Sequence, residues 1–349
     1  MLSVSTPFRF NGQWERLRRI PGILRHMDSE FEGVDIVVFQ EVVPGAYRKY
    51  LVAGMASIGW VFSSKLIRSS LMKPANAGIL ICSKYPITSN LQHVFSVCSG
   101  SDCLMSKSVI YTRILFDEVY PVHLFSMHLQ AWDTSKGANI RYRQLKEFHA
   151  FQLSLNLNRE EPVILAGDLN IDYYTQQEYF TSVLKDIDVK LVKLHEKSHP
   201  FTSDPKTNSL VGNDVAGMYR TRKYPNGCYL DYMKHLSCPC CPRELLDYIG
   251  FSTRNLIPIN SSCFVYQAKT SDRFLIKMNA RTERWIDDCS DHFPLVATFV
   301  FSFTRSTDTI TSTVMVQPNN YKPIVFILLV FCVTLIYLWY RYRRKYQVL

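Results

Sequence analysis

The sequence predicts an α/β protein, a four-layer sandwich of two packed, mixed β-sheets flanked by helices. Three observations point there. Short β-rich runs recur along the 349 residues, many of them apolar at consecutive positions, as strands buried on both faces are. Helix-compatible stretches stand between these runs, which places helices outside the packed sheets. The composition, 47% apolar with 13% aromatics and 20% charged, suits a chain that folds around a sizeable core and excludes a disordered one.

Taken in order, residues 12–27 carry helical spacing, and 34–40 (VDIVVFQ) and 77–82 read as strands. Residues 108–116 and 122–129 are two more strands, and 140–157 a second helix. Strands at 162–166, 245–251 and 293–301 complete a body of residues 1–302, within the size of one domain. The composition then shifts to Ser, Thr, Asn and Gln, which predicts a polar stalk over 303–321. The run PIVFILLVFCVTLIYLWY carries no charge and has about the length of a minimal bilayer span. It predicts a transmembrane helix at 322–340, with Tyr337, Trp339, Tyr340 and Tyr342 as an interfacial belt. A basic tail, 341–349, follows with Arg341, Arg343, Arg344 and Lys345.

Forty Lys and Arg against thirty Asp and Glu give a net charge of +10, so an anionic partner, phosphate-bearing lipid headgroups or nucleic acid, is expected. Ten cysteines are many for a cytosolic chain. Cys98 and Cys103 stand close together, and Cys228, Cys238, Cys240 and Cys241 crowd one insert. This favours an oxidising compartment. A zinc site is the competing reading of the insert, although separated Cys pairs or histidines at ligand spacing are missing there. The positive-inside rule keeps the basic tail cytoplasmic and puts the body outside the cell or in a lumen, where the acceptor triplet at Asn260 would matter. No signal peptide is visible at Met1. Either the anchor inserts after translation, leaving the body cytosolic, or the chain lacks its true start.

Polar residues suited to phosphate-ester hydrolysis recur at strand ends: Gln40-Glu41, Ser126-Met127-His128, Gly167-Asp168-Leu169-Asn170, Asp247-Tyr248 and Ser290-Asp291-His292. Singly, each reads as a surface carboxylate, a structural histidine or a turn. In this order they resemble the endonuclease/exonuclease/phosphatase superfamily, which implies a deoxyribonuclease-like sandwich. The local matches SKYPI (83–87), CSGSDCLMSKS (98–108), MHLQA (127–131), RYRQLKE (141–147), LLDYI (245–249) and SDHFPLVAT (290–298) resemble, more narrowly, the neutral, bacterial-type sphingomyelinases.

That resemblance implies a Mg²⁺-dependent sphingomyelin phosphodiesterase, with Mn²⁺ or Co²⁺ as substitutes, acting on sphingomyelin in a bilayer and not on nucleic acid. Glu41 and Asp291 would face the metal, a hard cation suited to carboxylates. His292 would be the general base, oriented by Asp247. Asp168 and Asn170 would position water and phosphate, and His128 would stabilise charge growing at phosphorus. Aromatic and apolar residues between 262 and 285 occupy the place of the family's membrane-touching hairpin, with core packing as the alternative. One departure stands out. The family's first strand ends in an Asn, whereas this chain opens VSTPFRF, so Thr6 takes that place or the strand lies upstream. A different phosphoesterase of the same fold, or a catalytically impaired anchored homologue, are the rival readings.

Overall fold

A computed structural model of the chain describes residues 12–43, 45–65, 75–76, 78–131, 134–210, 243–279, 282–303 and 321–330. Strand β1 (Ile36–Gln40) shows how its layers arise: all five residues are buried, and successive side chains enter different cores. Ile36 and Val38 join the core between the sheets. Val37 and Phe39 join the one under the first three helices, α1 (Gln13–Leu17), α2 (Ile20–Glu30) and α3 (Gly45–Ala56). A strand buried on both faces is apolar at consecutive positions, which is why 36–39 reads as an unbroken run.

The remaining strands are β2 (Phe62–Ser63), β3 (Ala75–Asn76), β4 (Leu80–Ser83), β5 (Ile87–Val94), β6 (Met105–Ser106), β7 (Ser108–Phe116), β8 (Tyr120–His128), β9 (Val163–Asp168), β10 (Val189–Leu191), β11 (Asp247–Ser252), β12 (Asn260–Val265), β13 (Lys269–Asn279), β14 (Thr282–Asp288), β15 (Leu295–Ser302) and β16 (Tyr321–Val330). One six-stranded sheet runs β12-β15-β16-β1-β4-β2 and the other β10-β11-β9-β8-β7-β5. Leu145 and Phe148 of α4 (Ser135–Ser154), with Phe180 and Val183 of α5 (Gln177–Asp186), cover the second sheet. The mixed α/β sandwich expected from the sequence is therefore present.

The helix expected at 12–27 is two helices, because Pro21 in the first turn of α2 lacks the N–H that would continue α1. Helix α4 starts five residues before the expected 140, at a cap where Thr134 Oγ1 accepts from Gly137 N at 2.9 Å. In the β13–β14 hairpin Phe274, Ile276 and Ile286 are buried, whereas Leu275 and Trp285 are 41% and 58% exposed. Core packing therefore accounts for one face of the hairpin, and its other face is exposed.

The expected transmembrane helix is overturned. Residues 321–330 form β16, parallel to β1 from Ile36↔Phe326 to Gln40↔Val330 and antiparallel to β15 from Leu295↔Leu328 to Ser302↔Tyr321. Phe326 is fully buried in the core between the sheets. A continuous apolar run serves a strand in the middle of a sheet as well as it serves a bilayer span, so hydropathy alone could not separate them. Among the described residues no helix is long and apolar enough to cross a membrane. The single-pass localisation, with the body outside or lumenal and the tail cytoplasmic, falls with that helix, as does anchoring through it. Most of the stalk, residues 304–320, and all of 331–349 lie outside the described residues. So do Thr6 and the cysteine-rich insert with its zinc alternative. Cys98 and Cys103 are joined in a disulfide, while Cys82, Cys263 and Cys289 are buried thiols.

A loop at 202–208 ties the two sheets together near the ends of β11 and β14. Asp204 accepts from Arg243 Nε and Nη2 at 2.9 and 2.8 Å and from Thr207 Oγ1 at 2.7 Å. Burial alone would push its carboxyl up, but these bonds outweigh burial and hold it at about 2. A folded value below the ordinary carboxylate range stabilises above about pH 4 and is lost as pH falls toward 2, roughly 2 kcal/mol in all. Asp204→Asn is therefore expected to lower stability at neutral pH and to flatten its fall between about pH 4 and 2, as read from urea melts across that range.

Candidate active site

Three of the expected site residues stand in one row across neighbouring strands. Asp168 at the end of β9 is paired with His128 at the end of parallel β8 and with Asp247 at the start of antiparallel β11. The ladder spacing of about 5 Å therefore sets their separations. Gly167 makes the row possible, because a Cβ there would lie 2.0 Å from Met127 O. Across the sandwich, Gln40 Nε2 donates to Ser126 Oγ at 2.9 Å, which brings the end of β1, and with it Glu41, to the same rim.

His292 comes from the turn before β15. Its Nδ1 lies 2.7 Å from Asp247 Oδ2, so Nε2 is the ring nitrogen left for a ligand. The turn is held by Asn208 Nδ2, which donates to Ser290 O and Asp291 O at 2.9 and 3.3 Å, and by Phe293 N on Thr202 O. Thr202 Oγ1 also accepts from Leu246 N at 3.1 Å. One loop thus aligns both halves of the His292–Asp247 pair.

Burial works against charge on His292, but the carboxylates of Asp247, Asp291 and Asp168 prevail and raise its pKa well above the ordinary range. Asp168 is pushed up to about 7, first by burial and then by the charge of Asp247. His128 is pulled well below its ordinary range by burial, then by Lys107 and His292, and is neutral. Glu41 and Asn170 both adopt left-handed backbone, φ 60° and 51°, which is uncommon without glycine and recurs at functional sites. Asn170 Nδ2 donates to Leu129 O at 3.2 Å and its N–H to Asp168 Oδ1 at 2.8 Å.

Glu41 and Asp291, the residues expected to face a metal, lie beside another group of possible donors. Donor atoms of Asp168, Asp247 and His292 lie within 4.8 Å of one another. Glu41 reaches this group through His128, whose Nε2 is 3.7 Å from Glu41 Oε1 and 3.5 Å from Asp168 Oδ2. Asp291 is buried beside His292 but does not join the 4.8 Å group. The residues nevertheless suit a hard divalent cation. Asp247 Oδ1 is buried with no hydrogen-bond donor among the described residues, and the raised Asp168 carboxyl reports accumulated negative charge in low dielectric.

Lys107 is the residue that sequence reasoning missed. It is 1% exposed, and its Nζ donates to His128 Nε2 at 2.5 Å and lies 3.7 Å from Asp102 Oδ2. Lysine is almost never fully buried unless paired, and its signal was only its place in CSGSDCLMSKS. Asp102 in turn accepts from Ala131 N at 2.7 Å. Gln130 bonds Ser99 through both side-chain atoms, and Gln144 bonds Gln130 N and Val97 O. CSGSDC, MHLQA and RYRQLKE are therefore one hydrogen-bonded support beneath His128.

Over residues 10–292 the chain matches the Endonuclease/Exonuclease/phosphatase family, and it belongs to that family. Within it, the chain is 30% identical over 233 residues to a sphingomyelinase C of Bacillus cereus, covering 64% of this chain and 62% of that one. The match thus spans just over three fifths of the relative. A Staphylococcus aureus beta toxin mutant solved with bound magnesium ions aligns with TM-score 0.68 at 25% identity, over 82% of this chain and 92% of that one. Sphingomyelinase C from Streptomyces griseocarneus aligns with TM-score 0.68 at 25% identity, over 84% and 93%. The resemblance to bacterial-type sphingomyelinases holds in sequence and in fold.

Proposed function

We propose that the chain is a phosphoric diester hydrolase that cleaves sphingomyelin to ceramide and phosphocholine by in-line attack of water. The observation that carries this reading is the buried His292–Asp247 pair facing Asp168 and His128 at one sheet rim, in a chain similar to sphingomyelinases C. The Asp247 carboxylate accepts the Nδ1–H of His292 and fixes its tautomer, and where the ring is neutral its Nε2 takes a proton from the water that bonds to phosphorus. The bond from phosphorus to the ceramide oxygen breaks, and ceramide leaves as an alcohol after taking up a proton. Asp168 and Asn170 orient water and phosphate. His128, held neutral, contributes a hydrogen bond, while Lys107 beside it supplies fixed positive charge for the five-coordinate phosphorus.

Glu41, with Asp291 or Asp168, would hold Mg²⁺, and Mn²⁺ or Co²⁺ would substitute. When bound, the cation neutralises the phosphoryl oxygens and the departing alkoxide. Phosphocholine release from sphingomyelin vesicles, compared with phosphatidylcholine vesicles, tests the reading. EDTA is expected to abolish release and Mg²⁺ to restore it. Hydrolysis of phosphoinositides or DNA without phosphocholine release from sphingomyelin would overturn it.

Lys107→Met is expected to lower kcat on the order of a hundredfold with little change in KM, the scale of one lost electrostatic contact to the transition state. Steady-state kinetics on a variant with unchanged melting checks this. A rise in KM at constant kcat would move Lys107 from the reacting centre to substrate binding.

A further inference from the structure

A groove of about 690 Å³ opens on the outer wall of the support beneath His128, lined by Ser96, Val97, Cys98, Lys136, Ile140 and Arg143. Lys136 and Arg143 stand seven residues apart on α4, two turns along one face and roughly 10 Å from each other. Both are exposed, and neither meets a carboxylate among the described residues. The acid one turn further on, Glu147, is engaged by Ser96 N, Ser96 Oγ and His93 Nε2. Its carboxyl is held down: burial opposes this, but the Ser96 and His93 bonds prevail. The nearby 3-10 turn Gly100–Leu104, closed by the Cys98–Cys103 disulfide, carries Leu104, which is 41% exposed.

We propose that this groove docks anionic phospholipid headgroups, with Lys136 and Arg143 pairing to phosphate or carboxylate and Leu104 entering the interface beside them. Charge complementarity argues for the occupant, since two exposed cations that meet no carboxylate among the described residues are what an anionic bilayer surface recognises. The proposal rests on the reading of the chain as a bilayer-acting hydrolase. It adds a second contact, bonded through Gln130 and Gln144 to the segment that carries His128.

The test is co-sedimentation of the full chain with phosphatidylcholine vesicles and with vesicles containing roughly 30 mol% phosphatidylserine. Wild type is expected to partition at least about tenfold more strongly to the second set. Lys136→Glu/Arg143→Glu is expected to lose that preference, and Lys136→Arg/Arg143→Lys to keep it. Turnover of a soluble short-chain phosphodiester should be unchanged in both, which shows that they fold. Retention of the preference in the charge-reversed variant, or its absence from wild type, overturns the proposal. Inorganic phosphate should release the protein no better than chloride at equal ionic strength of about 0.5 M. Specific release by phosphate would mean a discrete anion pocket and also overturns the lipid surface. If sphingomyelin is not hydrolysed at all, the proposed activity fails while the vesicle result still decides the groove.

Discussion

Replacing His292 with alanine is expected to lower sphingomyelin turnover by at least about a hundredfold, and Glu41→Ala by a similar factor, the usual scale for losing a positioned base or a metal ligand. His292 has a single strong side-chain bond, to Asp247, so its removal leaves that carboxylate buried and uncompensated. Part of the loss will therefore be stability, roughly 3 kcal/mol. His292→Asn, which keeps a donor for Asp247 but no base, separates the two effects: melting recovers and activity does not. Near-normal turnover in a folded His292 or Glu41 variant removes that residue from the mechanism.

Gly167→Ala is expected to be the most damaging substitution in the scaffold. The added Cβ would sit 2.0 Å from Met127 O and 3.0 Å from Met127 C and N, and Met127 is its partner in the β8–β9 ladder. Neither strand can retreat, because both are interior to the second sheet. A loss of more than about 3 kcal/mol follows, together with displacement of the His128–Asp168 pair one residue further on. Gly250 is the control. A Cβ there would lie 2.7 Å from Lys190 O, but β10 is an edge strand and can yield, so roughly 1 kcal/mol is expected. Urea midpoints compare the two, and equal midpoints would mean that the close approach at Gly167 is accommodated.

Much of the site was legible because each candidate motif is local, a polar residue closing an apolar run, and the ladder then sets three of these residues side by side. His128, Asp168 and Asp247 could be named from sequence without knowing that they form a row. Lys107 could not, since its burial depends on Asp102 five residues earlier and on β8. The loop at 202–208 was equally invisible: Thr202 and Asn208 act through bonds to backbone atoms more than forty residues away. Of the elements, β5 was missed because it is a half-exposed edge strand without an apolar run. Helix α3 opens on Gly45 and carries Gly54 near its end, which weakens its local signal. Residues 321–330 were misread for the opposite reason, too strong a hydrophobic signal with no period to interpret.

The position of β16 also sets the order in which the chain can mature. Strand β1 lacks its parallel neighbour until a segment roughly 290 residues later arrives. Until then β1 and β15, apolar on nearly every residue, each present an open hydrogen-bonding edge. Loop closure over that separation is slow, and open apolar edges are where chains recruit one another. Assembly of the first sheet is therefore the expected bottleneck of refolding, with protein concentration deciding between monomer and aggregate, while the second sheet, whose β7–β8 and β8–β9 pairings are near in sequence, forms early.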